Sequence, residues 1–101
     1  MTKKISKQDV LGLEATLQEK LYSELLGENA TLDQIDFIYE IVDSLRGAYN
    51  DEGIRRWFYR GRKQLEGKSP LEYLGQSSNH EDEYAKRVLE LAKVLKGDNR
   101  F

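Results

Sequence analysis

Apolar residues recur at three- and four-residue intervals along most of this chain, and no run alternates every second residue for long. The first period is that of a helix and the second that of a half-buried strand, so the pattern predicts helices and no sheet. Val10, Leu13, Leu17, Leu21 and Leu25 make one stripe, with Ser6 and Asp9 at capping-box spacing before it and Gly27 and Asn29 as a stop after it. A second stripe, Leu32, Ile35, Ile38, Val42, Leu45 and Tyr49, follows Thr31 and Gln34, again at capping-box spacing. Phe37, Tyr39 and Ile41 lie off that stripe. The second helix is thus apolar over a wide arc, which fits a central place in the bundle or a face covered by a partner. The expected fold is all-α, a small bundle of four to five helices in a single domain.

A third helix is expected after Asn50 or Asp51, with Ile54, Trp57, Phe58, Gly61 and Leu65 facing inward and Gly67 as its end. Ser69-Pro70-Leu71-Glu72 then restarts the chain: Ser caps, Pro gives up an amide that had no partner, and Glu reaches back. Leu71 and Leu74 anchor this short helix and Gly75 closes it. The last helix is expected to be capped by Ser78 or Asn79, with Glu81, Asp82 and Glu83 at its positive end. Its stripe is Tyr84, Val88, Leu91 and Leu95; Lys93 and Lys96 suit its negative end and Gly97 ends it. We divide the chain into an N-terminal helix (1–29), a helical domain (30–97) and a flexible tail (98–101). The first stripe fits core packing. Its regular spacing also permits a homodimer seam, although about three heptads do not require a coiled coil.

The 101 residues suffice for one modest core, and 34% charged against 39% hydrophobic residues describes a wet surface around it. A net charge of -2 gives no general attraction to nucleic acid or membrane. There is no cysteine, hence no disulfide and no thiolate metal site. The basic start, MTKKISKQDV, has no apolar run behind it, so no secretory leader is expected, and no stretch approaches the roughly 20 apolar residues of a membrane span. A cytoplasmic protein is the expectation.

Catalytic signatures are absent: no phosphate-binding glycine loop, no nucleophile elbow, no HExxH. His80 is the only histidine and stands beside three acids, so no metal set and no cofactor are expected, and no enzyme. Asp33, Asp36, Glu40 and Asp43 run along one side of the second helix as a solvated acidic face. Arg55, Arg56, Arg60, Arg62 and Lys63, with no acid from 53 to 65, form a basic cluster. Three readings fit it: a solvent face paired with acids of the second or last helix, a phosphate-binding surface, or a protein-binding face in which arginine stands beside Tyr59 and Trp57.

Trp57-Phe58, Leu65, Gly67, Ser69-Pro70-Leu71 and Leu74 resemble the W-L…P-N…L-G-G…[ST]-P-L…L core of the Xre/MbcA/ParS-type antitoxin toxin-binding domain, with the Trp-to-Pro interval kept. Val88, Leu91, Leu95 and Gly97 resemble the ending of that family's final helix, so the likeness covers roughly residues 30–97. Gly61-Arg62 replace the family's Pro-Asn, and Glu66 replaces the first of its two glycines. Only one helix precedes the second stripe, too little for the helix-turn-helix that family members usually carry. The resemblance implies a standalone partner-binding half that blocks a RES-type, NAD-consuming toxin by covering its active-site entrance. Arg55, Arg56, Tyr59, Arg60, Arg62, Lys63, Arg100 and Phe101 are the expected partner-binding residues, while Trp57, Phe58, Leu65, Pro70, Leu71 and Leu74 are expected in the core. The alternative is a small nucleic-acid-associated regulator using the basic face of the third helix.

Overall fold

The first two helices begin where capping boxes close. The Asp9 amide donates to Ser6 Oγ and the Ser6 amide to Asp9 Oδ2, both at 3.1 Å. The Gln34 amide donates to Thr31 Oγ1 (3.1 Å) and the Thr31 amide to Gln34 Oε1 (2.9 Å). Each box satisfies two amides that a helix start leaves without intrahelical partners. The computed structural model describes residues 6–27, 30–75 and 83–97, with residues 96 and 97 described by backbone alone. Along these run α1 (Lys7–Leu25), α2 (Leu32–Leu45), α3 (Asp51–Tyr59), a 3-10 turn (Lys63–Leu65), α4 (Pro70–Gly75) and α5 (Glu83–Gly97). Among the described residues there is no strand, so the fold is the expected small all-α bundle. The expected caps Ser78 and Asn79, the acids Glu81 and Asp82, His80 and the tail lie outside the described residues.

One cluster forms the core. Leu13, Leu17 and Leu21 enter from α1, Ile38, Ile41, Val42 and Leu45 from α2, and Ile54, Trp57 and Phe58 from α3. Leu65, Tyr73, Val88 and Ala92 close it, with Leu71 and Leu74 packed at its edge. α2 lies chiefly against α5, and α1 against α3 and α2. The stripe of α1 that fitted a homodimer seam is thus occupied by the chain's own core. The rings of Trp57 and Phe58 meet edge to face, 5.2 Å apart and at 90°.

The structure corrects several elements. α3 ends at Tyr59 and does not run to Gly67, because Arg60 is extended (φ -95°, ψ 128°). Leu65 still reaches the core, from the 3-10 turn. Leu32, expected in the buried face, is 71% exposed in the first turn of α2. Tyr49 is exposed because α2 has already ended, so helical register no longer positions it. Tyr84 is exposed and leans its ring edge-on against Tyr73. Ile41, Ala85 and Ala92 are buried in their place. No helix among the described residues is long and apolar enough to cross a membrane.

α1 is broken at Gln18 (φ 65°, ψ 168°). A regular helix would offer the Thr16 carbonyl to the amide four residues on. Here Arg55 Nη1 donates to that carbonyl at 2.7 Å. The buried Thr16 hydroxyl accepts from Arg46 Nη2 (2.9 Å) and donates to Asp51 Oδ1 (3.2 Å). Three residues around α3 therefore hold the break from outside the helix.

Candidate functional site

The chain from α3 to α4 makes a closed basic turn over residues 60–68. Asn50 starts α3, its Oδ1 accepting from the Gly53 amide at 2.9 Å. After Tyr59 the chain swings out through Arg60, Gly61 and Arg62, then folds back. The Arg62 amide donates to the Lys68 carbonyl (3.1 Å) and the Gly67 amide to the Arg62 carbonyl (2.8 Å). Glu66 and Gly67 are both left-handed (φ 61° and 85°), which reverses the chain within two residues. Gly61 lies so close to the returning strand of chain that a Cβ there would stand 2.6 Å from the Gly67 carbonyl oxygen. Ser69 then caps α4: the Glu72 amide donates to Ser69 Oγ (3.1 Å) and the Ser69 amide to Glu72 Oε1 (3.0 Å).

The five expected partner-binding cations between Arg55 and Lys63 separate into two groups. Three of them are spent on the fold. Arg55 is half-buried and supports the Thr16 carbonyl. Arg56 forms an exposed ion pair with Glu52 of the same helix at 2.7 Å. Arg62 is half-buried, its guanidinium carbon 4.9 Å from the centroid of the Trp57 ring. Burial pushes the Arg62 pKa down, the Tyr49 phenol opposes that, and the neighbouring Arg60 charge adds to it. Arg62 Nε is buried without an acceptor among the described residues. Arg60 and Lys63, by contrast, are exposed at either side of the turn with no ion-pair partner among the described residues.

Tyr59 is half-exposed and donates its hydroxyl to Glu24 Oε1 of α1 at 2.7 Å. Desolvation first, and then that carboxylate, raise its phenol pKa. Arg100 and Phe101 lie outside the described residues. Of the acids of α2, Glu40 pairs with Lys93 of α5 at 3.2 Å. Gln18 and Lys20 of α1 also reach this region, beside the break in that helix, and the apolar stripe of α1 does not mark them. Trp57, Phe58, Leu65 and Pro70 are buried, and Leu71 and Leu74 half-buried. Among the described residues no three histidines or carboxylates lie close enough together to hold a metal ion.

Compared with protein-family models, with curated proteins and with solved structures, the chain matches none of them.

Proposed function

We propose that this chain is a non-enzymatic, cytoplasmic protein-interaction module of the antitoxin type, which binds a RES-type NAD-consuming toxin and covers the entrance of its active site. The observation that carries this reading is the course of the chain between Trp57 and Pro70. α3 stops at Tyr59, three residues before the 3-10 turn that returns Leu65 to the core, and Ser69-Pro70 restarts a helix. The W-L…P-N…L-G-G…[ST]-P-L pattern implies a helix break at the same position. Here Gly61 and Arg62 supply the break where the pattern has Pro-Asn.

The surface so made is fixed before any partner arrives. Backbone hydrogen bonds close the turn, and Arg62 on the Trp57 ring ties it to the core. A preformed turn loses little conformational freedom on docking, which is one route to tight inhibition. Arg60 and Lys63 are its accessible charges. Arginine at the centre of an interface is a frequent anchor. The competing reading, a nucleic-acid regulator, needs a row of free cations on α3. Arg55, Arg56 and Arg62 are instead engaged within the chain, which favours a protein partner.

Co-expression with the RES-type toxin of the same host tests the proposal. A stable complex on size-exclusion chromatography and restored growth are expected. Toxicity unchanged and two separate peaks would refute it, as would a tighter, strongly salt-dependent complex with DNA or RNA.

A further inference from the structure

α1 is written as one helix and folded as two pieces. Leu13, Leu17, Leu21 and Leu25 keep a four-residue spacing, and residues 13–26 contain neither glycine nor proline. The backbone is nevertheless broken in their midst, because Gln18 stands at φ 65° and ψ 168°. Side chains other than glycine rarely adopt that region, and a residue persists there only where its surroundings impose it. Gln18 is itself exposed, so no burial of its own side chain holds it there.

The restraint comes from beyond α1. Arg55 Nη1 donates to the Thr16 carbonyl at 2.7 Å, and Arg46 and Asp51 hold the Thr16 hydroxyl. Leu13, Thr16 and Leu17 are buried ahead of the break and Leu21 after it. Both halves are thus docked on one core, and the break between them falls on a single strained residue.

We infer that Gln18 is the hinge through which two copies of this chain exchange residues 7–17, the first half of α1. With Gln18 helical, α1 is one straight rod, and its first half lies on the core of the second copy. That copy returns the exchange, which closes a two-fold dimer. Leu13 and Leu17 pack as before, and Thr16 meets the Arg46, Asp51 and Arg55 of the other copy. Contacts made within one chain are remade between two, so they cancel in the balance between monomer and dimer. What remains is the hinge, whose strain is relieved twice per dimer, against the single cost of bringing two copies together. A short hinge under strain is the setting that favours swapping. The sequence also supplies the straight form, since Ala15, Leu17, Gln18, Glu19 and Lys20 are good helix formers.

The test is light scattering on size-exclusion chromatography over a range of protein concentrations. Wild-type protein is expected to pass from monomer to dimer as concentration rises. Gln18→Gly relaxes the broken form and disfavours the straight one, so its dimer should be at least tenfold weaker. Gln18→Ala favours the straight form and should dimerise more tightly, by a smaller factor. A cross-link separates exchange from an ordinary surface contact. The natural chain has no cysteine, so a chain carrying Thr16→Cys is mixed with one carrying Asp51→Cys at high concentration and oxidised. These two side chains meet at 3.2 Å, and Thr16 is only 3% exposed, so a disulfide-linked heterodimer requires exchange. Its yield should rise with concentration and fall when both chains also carry Gln18→Gly. A wild-type monomer at every concentration, a dimer indifferent to residue 18, or a dimer without the cross-link would overturn the inference. No toxin enters the experiment, so its failure leaves the reading of the basic turn standing.

Discussion

The guanidinium carbon of Arg62 lies 4.9 Å from the centroid of the Trp57 ring, and this contact joins the basic turn to the core. The indole is 2% exposed and touches Phe58 edge to face, so the cation rests on a ring that cannot move. Trp57→Ala is expected to cost about 3–5 kcal/mol, as for a large core truncation. Arg62→Ala should cost far less, about 0.5–1 kcal/mol for the lost cation–π contact. Arg62→Met should be close to neutral: it keeps an apolar stem on the ring and removes the buried Nε that has no acceptor among the described residues. Urea unfolding of the three variants checks the order. An Arg62→Met loss as large as that of Trp57→Ala would mean that the guanidinium is satisfied and structural.

Two glycines should respond to alanine with opposite signs. A Cβ on Gly61 would meet the Gly67 carbonyl oxygen at 2.6 Å, and backbone on backbone cannot step aside cheaply. Gly61→Ala is expected to destabilise by about 1–3 kcal/mol. Gly12, inside α1, has nothing within 4 Å of such a Cβ, so Gly12→Ala should stabilise by up to about 1 kcal/mol. Thermal denaturation of the pair decides the matter, and two shifts of the same sign would contradict the geometry of the turn.

Gln18 offers a direct probe of the break in α1. At φ 65° glycine is relaxed and glutamine is not. Gln18→Gly should therefore raise the melting temperature. If α1 were regular there, the same change would lower stability by about 1 kcal/mol, the usual cost of glycine within a helix.

Much of this fold is legible in the sequence where the signals are local. Ser6 with Asp9, Thr31 with Gln34, and Ser69 with Glu72 each name a helix start, and all three boxes form. The end of α3 is not legible, because Ile54, Trp57, Phe58, Gly61 and Leu65 keep helical spacing past the break. What ends the helix is the closure of Arg62 on Lys68 and of Gly67 on Arg62, together with the tight approach of Gly61 to Gly67. Bonds between backbone groups leave no period in the side chains. The division of the basic cluster was hidden for a related reason. Arg55 donates to the Thr16 carbonyl, two residues before the break at Gln18, and Arg62 is spent on a ring five residues before it. Leu32 reads as core by register, yet it stands in the first turn of α2, where the bundle does not cover it.

Alkaline pH should loosen the contact between α1 and α3. The Tyr59 phenol is raised above its ordinary value near 10, first by desolvation and then by the hydrogen bond to Glu24. Its protonated form is thus favoured in the folded state. The stabilisation is whole below the unfolded value of about 10, falls as the unfolded chain begins to release that proton, and is lost once pH passes the raised folded value. Tyr22, also raised by burial and then by Glu14, acts in the same direction. Denaturant midpoints measured from neutral pH upward should decline beyond about pH 10, and more shallowly for Tyr59→Phe. An identical decline in that variant would mean that Tyr59 carries none of it.

We propose that the turn from Arg60 to Lys68, fixed on Trp57, blocks a NAD-consuming partner. The most direct measurement follows NAD loss by a purified RES-type toxin of the same host as this chain is titrated in. Wild-type protein should stop the reaction near equimolar ratio, and Arg60→Glu, an exposed change that leaves the fold intact, should require at least a tenfold excess. NAD loss at an unchanged rate with wild-type protein in excess would contradict the account.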